Sequence, residues 1–241
     1  MSILEVRGVS KRFGSLEALR EVSFEVQEGA LYGIAGPNGA GKSVLFNVIS
    51  GVYRPSSGEV RFGGENIVGV PAHGVCHRGL VRTFQTASTF HSMSVKDNVR
   101  VGGLFGAGTE DRVPMIMELL EITPMADIPA TNLELFMLKK VVLGAALATD
   151  CKVLMLDEPM AGLSLVEIDR FLELVRRVNQ EWGITVLIVE HLLDVLIDIS
   201  ERMMILHYGE VLYEGSPDEV KGHEEVAAVY LGETSKEKRR A

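Results

Sequence analysis

The sequence predicts an α/β fold in which a phosphate-binding core carries an antiparallel β subdomain at its N terminus and an inserted α-helical subdomain. Three observations predict it. A short apolar strand, Leu31 to Ala35, runs into a glycine-rich turn at Gly36 and then into a helix. Strand–helix alternation returns near Val153 and ends in Ile184 to Val189, an all-apolar run of the kind that a parallel sheet buries on both faces. Between these blocks lies a methionine-rich stretch with prolines at 114, 124 and 129, which suits short helical pieces.

The elements follow in order. Val22, Phe24 and Val26 alternate with Ser23 and Glu25, the period-two pattern of a strand with one buried face. After the glycine-rich turn, Leu45, Phe46, Val48 and Ile49 recur as on a helix, and Gly51 marks its stop. Val60 and Phe62 alternate ahead of Gly63-Gly64, which reads as a hairpin. The helical subdomain, with Met93, Met115, Met117, Met125 and Met137, is expected over 86–146, and the β and core parts over 1–85 and 147–234. Val153 to Leu156 reads as a short buried strand. Ser164 and Glu167 have capping-box spacing ahead of Ile168, Phe171, Leu172, Val175 and Val178, and Gly183 ends that helix. Ser216-Pro217-Asp218-Glu219 repeats the capping logic with proline at the first helical position. A basic tail, 235–241, holds Lys236, Lys238, Arg239 and Arg240.

Composition narrows the function classes. The chain has 241 residues, 46% hydrophobic and 24% charged, enough for one domain with a sizeable core and too apolar for disorder. No apolar run approaches the roughly 18 residues of a membrane span. Met1 to Arg7 shows no basic stretch leading into an apolar one, so a cytoplasmic location is expected. Lys and Arg number 24 against 33 Asp and Glu, and the net charge of −9 argues against nucleic acid as a partner. Cys76 and Cys151 read as reduced, packed thiols.

The chemistry concentrates in a few stretches. Gly36-Pro37-Asn38-Gly39-Ala40-Gly41-Lys42-Ser43 fits the phosphate-binding loop at every defined position. The glycines let successive N–H groups face one anion at a helix N-terminus, Lys42 adds a point charge for β- and γ-phosphates, and the Ser43 hydroxyl can ligate Mg²⁺. The apolar strand Val153 to Leu156 ends in Asp157 and Glu158. Beside a phosphate loop, Asp157 can hold the Mg²⁺ shell and Glu158 can polarise an attacking water. His191 follows the next apolar strand, whose carboxyl end would carry it toward a γ-phosphate. Gln85, in Arg82-Thr83-Phe84-Gln85, reads by composition alone as a surface glutamine.

Taken together, these residues resemble the nucleotide-binding subunits of ABC transporters over nearly the whole chain. Gly79 to Gln85, Asp97-Asn98-Val99, Ala148-Thr149-Asp150 and Leu156 to Leu163 are most similar to the ATPase subunits of branched-chain amino acid importers. The resemblance implies a P-loop NTPase (RecA-like) core and an ATPase that takes ATP and Mg²⁺. It implies that Phe13 stacks on adenine and that Gln85 ligates Mg²⁺ and links the site to the helical subdomain and the membrane partner. It further implies that Ala161-Gly162-Leu163-Ser164 crosses a dimer interface and that His191 contacts the γ-phosphate. Val44 holds a position where the family usually has threonine or serine. The implied partners are integral-membrane permease subunits, a second ATP-binding subunit and an extracytoplasmic solute-binding protein. The implied location is peripheral, at the inner face of the cell membrane.

One loop departs from the family's pattern. The signature loop that donates a serine hydroxyl and backbone N–H groups to the opposite subunit's γ-phosphate falls on Leu133-Glu134-Leu135-Phe136-Met137. Glu134 replaces the serine and Phe136 a glycine. A carboxylate there repels phosphate, and Phe136 lacks the conformational freedom of glycine. The expectation is a heterodimer with an ATPase subunit of orthodox signature, a homodimer being the alternative. Two other functions stay in view: a nucleotide-binding regulatory module with little hydrolysis, and a soluble, non-transport ATPase of the same family.

Overall fold

The structure is a computed structural model that describes residues 1–86, 88–108 and 110–237. Its contacts divide the chain into two units, Met1–Gly69 with Leu187–Ala241, and Val70–Val186.

The first unit opens with β1, Ser2–Phe13, and β2, Leu16–Gln27, paired antiparallel. β3, Leu31–Ala35, is buried at every residue and leads through the glycine-rich loop into α1, Lys42–Ile49. α1 ends as read, with Ser50 Oγ bonded back to the Phe46 carbonyl and Gly51 at φ +75°. β4, Ser57–Phe62, and β5, Glu65–Asn66, form the hairpin across Gly63-Gly64. These outer strands make a sheet in the order β2-β1-β4-β5. Leu4, Val6, Val22, Phe24, Val26, Val60 and Phe62 are among its buried side chains, so the period-two reading of β2 holds.

The second unit begins with α2, Ala72–His77, and β6, Leu80–Arg82. The helical stretch follows: α3, Val95–Phe105; α4, Val113–Leu119; and α5, Leu135–Ala148, with 3₁₀ turns at Glu110–Arg112, Thr123–Met125 and Ala130–Asn132. Short helices are what the sequence predicted, but the prolines act differently from simple breakers. Pro114 lies in the first turn of α4, where its missing N–H has no intrahelical partner to lose. Most of the stretch's methionines lie outside the core: Met115 is exposed and Met93, Met125 and Met137 are half-buried, while Met117 joins Val95, Val99, Ile116, Leu120, Ile122, Val141 and Leu147 in the interior.

β7, Val153–Asp157, pairs parallel with β6. α6, Leu165–Trp182, starts on the Ser164–Glu167 capping box and ends at Gly183 in the left-handed conformation, as its spacing required. β8, Thr185–Val189, is wholly buried; its last three residues group with the first unit. There α7, Leu193–Ile199, β9, Arg202–His207, β10, Glu210–Gly215, α8, Pro217–Lys221, and α9, Glu224–Glu237, complete the chain. β3 pairs parallel with β9, and β9 antiparallel with β10. Residues 238–241 of the expected basic tail lie outside the described residues. Among those described, no helix is long and apolar enough to cross a membrane.

Candidate functional site

The glycine-rich loop is shaped by its neighbours as much as by its own sequence. A Cβ on Gly36 would stand 2.2 Å from the Leu206 carbonyl oxygen, and Gly41, at φ +107°, would place one 2.7 Å from the Ala18 oxygen. No other residue fits either position without moving backbone. The Ala40 carbonyl accepts from the Gly209 N–H, fixing the loop to the β9–β10 turn. Gly41 is the N-cap of α1 and offers no side chain to its first N–H groups, which are left to meet an anion. Lys42 is buried, and its Nζ donates to the Gly36 and Pro37 carbonyls at 2.5 and 3.0 Å, lying across the loop. Ser43 and Asn38 are exposed, Val44 half-buried, and Pro37 buried.

Two carboxylates end β7. Asp157 is buried, and its Oδ2 takes the Arg82 Nη2 at 2.6 Å. Glu158 follows at φ +45°, a left-handed backbone that a non-glycine residue adopts at a cost of about 1–3 kcal/mol. Its carbonyl is engaged by the Ala161 N–H, and its Oε2 accepts from Gln85 Nε2 at 2.7 Å. Gln85 is thus an exposed glutamine, as composition suggested, that is tied to Glu158. The segment beyond Gln85 is pinned by buried Asn98, whose amide group both accepts from the Phe90 N–H and donates to its carbonyl.

The remaining candidates are His191, Phe13 and the odd loop at Glu134. His191 is exposed in the bend after β8, two residues before α7 rather than at its start. Its Nδ1 is 3.6 Å from Oε2 of fully buried Glu190. Phe13, at the end of β1, is 42% exposed, with its ring edge-on to Tyr53 and Lys11 Nζ 4.9 Å from its centroid. In the odd loop, Glu134 is the N-cap of α5 with an exposed side chain. Phe136 is in the helix, where the backbone needs none of the freedom of glycine, so that part of the expectation is corrected.

The side chains expected at Mg²⁺, the Ser43 hydroxyl, the Asp157 carboxylate and the Gln85 amide, each offer oxygen, which hard divalent cations take. Among the described residues no group of three or more His, Cys, Asp or Glu could hold a metal ion.

Sequence reasoning missed the contacts of Arg82. The available signal was a charged residue closing the apolar run Leu80-Val81 just before Thr83-Phe84-Gln85. Tyr53 and Lys11 beside Phe13 carried no signal, since exposed rings and lysines are common.

A protein-family model described as ABC transporter matches residues 19–161, a span that holds the loop, Gln85, Asp157 and Glu158 and leaves Phe13 and His191 outside. The high-affinity branched-chain amino acid transport ATP-binding protein BraF of Pseudomonas aeruginosa is 33% identical over 96% of this chain and 98% of its own length. The probable branched-chain amino acid transport ATP-binding protein LivG of Archaeoglobus fulgidus is 33% identical over 96% of both. Among solved structures, an ATP-binding cassette of an ABC transporter in its ADP conformation superposes with TM-score 0.89 at 31% identity, covering 96% of this chain and 99% of that one. A nucleotide-free ATP-binding cassette from an ABC transporter gives TM-score 0.87 at 30% identity over 95% and 99%.

Proposed function

Because the chain belongs to the ABC transporter family of ATPases, we propose that it is the ATP-hydrolysing subunit of an importer for branched-chain amino acids or a similar small polar solute. The observation that carries the reading is the loop Gly36–Ser43, with uncapped helix N–H groups and Lys42 lying across it. Phe13 stacks on adenine. The loop N–H groups of Gly36 and of Asn38 to Val44, with the Lys42 ammonium, neutralise the phosphates. Ser43, Gln85 and Asp157 would hold Mg²⁺, which would supply positive charge to offset that of the phosphates. Glu158 orients a water toward the γ-phosphorus, a new P–O bond forms as the bond to the β-phosphate oxygen breaks, and ADP and inorganic phosphate leave. His191 contacts the γ-phosphate and steadies the charge that develops there. Gln85, bonded to Glu158, makes the water-orienting carboxylate sensitive to the segment that precedes α3, where a permease helix docks.

The partner reading rests on α5. Glu134 places an exposed carboxylate where the family donates to a phosphate, so the site that this helix closes on a second subunit's nucleotide turns over poorly. The chain therefore works with a second ATPase subunit of orthodox signature. The same observation favours the runner-up, a regulatory module that binds ATP with little hydrolysis. The deciding experiment is ATP hydrolysis by the purified chain, with and without the candidate partner ATPase, using Glu158→Gln as the blank. Hydrolysis that appears with the partner and is lost in Glu158→Gln supports the proposal. Activity from the chain alone favours a homodimer, and ATP binding without hydrolysis in either setting favours the regulatory module.

A further inference from the structure

We infer that Arg82 is a positioning residue for Asp157, setting how strongly Mg²⁺ tightens nucleotide binding; the inference rests on the nucleotide reading above. Arg82 closes β6, opposite Met155 in the parallel pair with β7, and the Thr83 N–H continues the ladder onto the Met155 carbonyl at 2.9 Å. This register carries the guanidinium to the end of β7, where Nη2 meets Asp157 Oδ2 at 2.6 Å. Both side chains are more than nine-tenths buried, at 7% and 8% exposure. The Phe84 ring, centred 5.2 Å from Cζ, packs against the guanidinium. The guanidinium is thus held by a strand register, a carboxylate and an aromatic ring, and the carboxylate in turn by the guanidinium.

Stability alone does not account for an arginine here. A buried ion pair is often no more stable than an apolar pair of similar volume, and β6 is otherwise Leu80 and Val81. What the pair supplies is direction. A rotating Asp157 carboxylate would present either oxygen to a metal-bound water, whereas one held through Oδ2 presents a fixed one. Groups that orient a metal's partners commonly change metal affinity about 10- to 100-fold when removed.

The test compares the Kd of β,γ-imido-ATP, which is not hydrolysed, with Mg²⁺ and with EDTA, by calorimetry on the full chain. In Arg82→Met, which leaves Asp157 buried without its partner and so lowers the melting temperature, the tightening by Mg²⁺ falls about tenfold while the Kd in EDTA stays near the native value. Arg82→Lys recovers most of it, and on the Asp157→Asn background Arg82→Met changes the ratio no further. An unchanged Mg²⁺ ratio in folded Arg82→Met overturns the inference, as does a loss shared equally by both Kd values. Should Arg82→Met not fold, Arg82→Gln is read in the same assay, a lowered ratio supporting the inference and an unchanged one overturning it. Failure of the native chain to bind the nucleotide in either buffer would instead overturn the proposed function.

Discussion

At the residue scale, Lys42 is the sharpest point of leverage. Its ammonium is buried and held by two loop carbonyls, so it is already ordered before any phosphate arrives. Lys42→Ala should weaken ATP binding by about 2–3 kcal/mol, roughly 30- to 160-fold in Kd, and lower the melting temperature as two buried loop carbonyls lose their donor. Titration calorimetry checks the first and scanning calorimetry the second. Cysteine chemistry gives a second prediction. Burial pushes the Cys151 thiol up to about 12 and the half-buried Cys76 thiol upward as well. At pH 8 neither forms much thiolate in the folded protein, so iodoacetamide should label Cys151 only after denaturation, as mass spectrometry would show. The loop residues were legible because their constraint is local: Gly36 and Gly41 answer to backbone geometry that few residues satisfy. Arg82 was not, because its partner is 75 positions away in the chain and nothing in the intervening sequence marks the pairing.

At the element scale, the helix termini were the most readable features. The boxes at Ser164–Glu167 and Ser216–Glu219 and the left-handed Gly183 formed where spacing placed them. In contrast, β1, β9 and β10 escaped the sequence reading; β9 is buried continuously from Met203 to Leu206 and β10 is half-buried from Val211 to Glu214, so neither shows a period of two. The capping carboxylates carry a pH prediction. Hydrogen bonds from Ser164 and Ser216 lower the Glu167 and Glu219 values below the ordinary 4.5. A lowered folded-state value means stability that is present above 4.5 and lost as pH falls through the folded value. The melting temperature of Glu167→Gln should therefore lie below that of the native chain at pH 7, and the gap should close in acid below 4.5. A gap that persists at pH 2.5 would mean that the carboxylate contributes by shape and not by charge.

At the scale of the whole molecule, activity depends on how many sites of an assembled pair work. This chain carries the loop, Asp157, Glu158 and His191 expected of a hydrolysing site, yet its α5 begins with Glu134 and continues through Leu135 and Phe136. Each site in the proposed pair takes its phosphate loop from one subunit and its signature helix from the other. The proposed pair would then have one competent site, on this chain's loop, and one weakened site, closed by this chain's α5. Restoring the hydroxyl donor with Glu134→Ser, and removing the bulky ring with Phe136→Gly, should raise the activity of the mixed pair by about twofold, as a second site joins the first. The glycine lies in the first turn of α5 and costs about 1 kcal/mol of helix stability, so the melting temperature is followed beside the rate. The gain should disappear when the partner subunit's own water-orienting carboxylate is changed to an amide, because the added turnover belongs to the partner's nucleotide. No gain with the fold intact would mean that Glu134 turns its charge away from phosphate and that the second site is limited elsewhere. A gain that survives the partner change would place the extra turnover on this chain's own loop, and the asymmetric pair would give way to a homodimer.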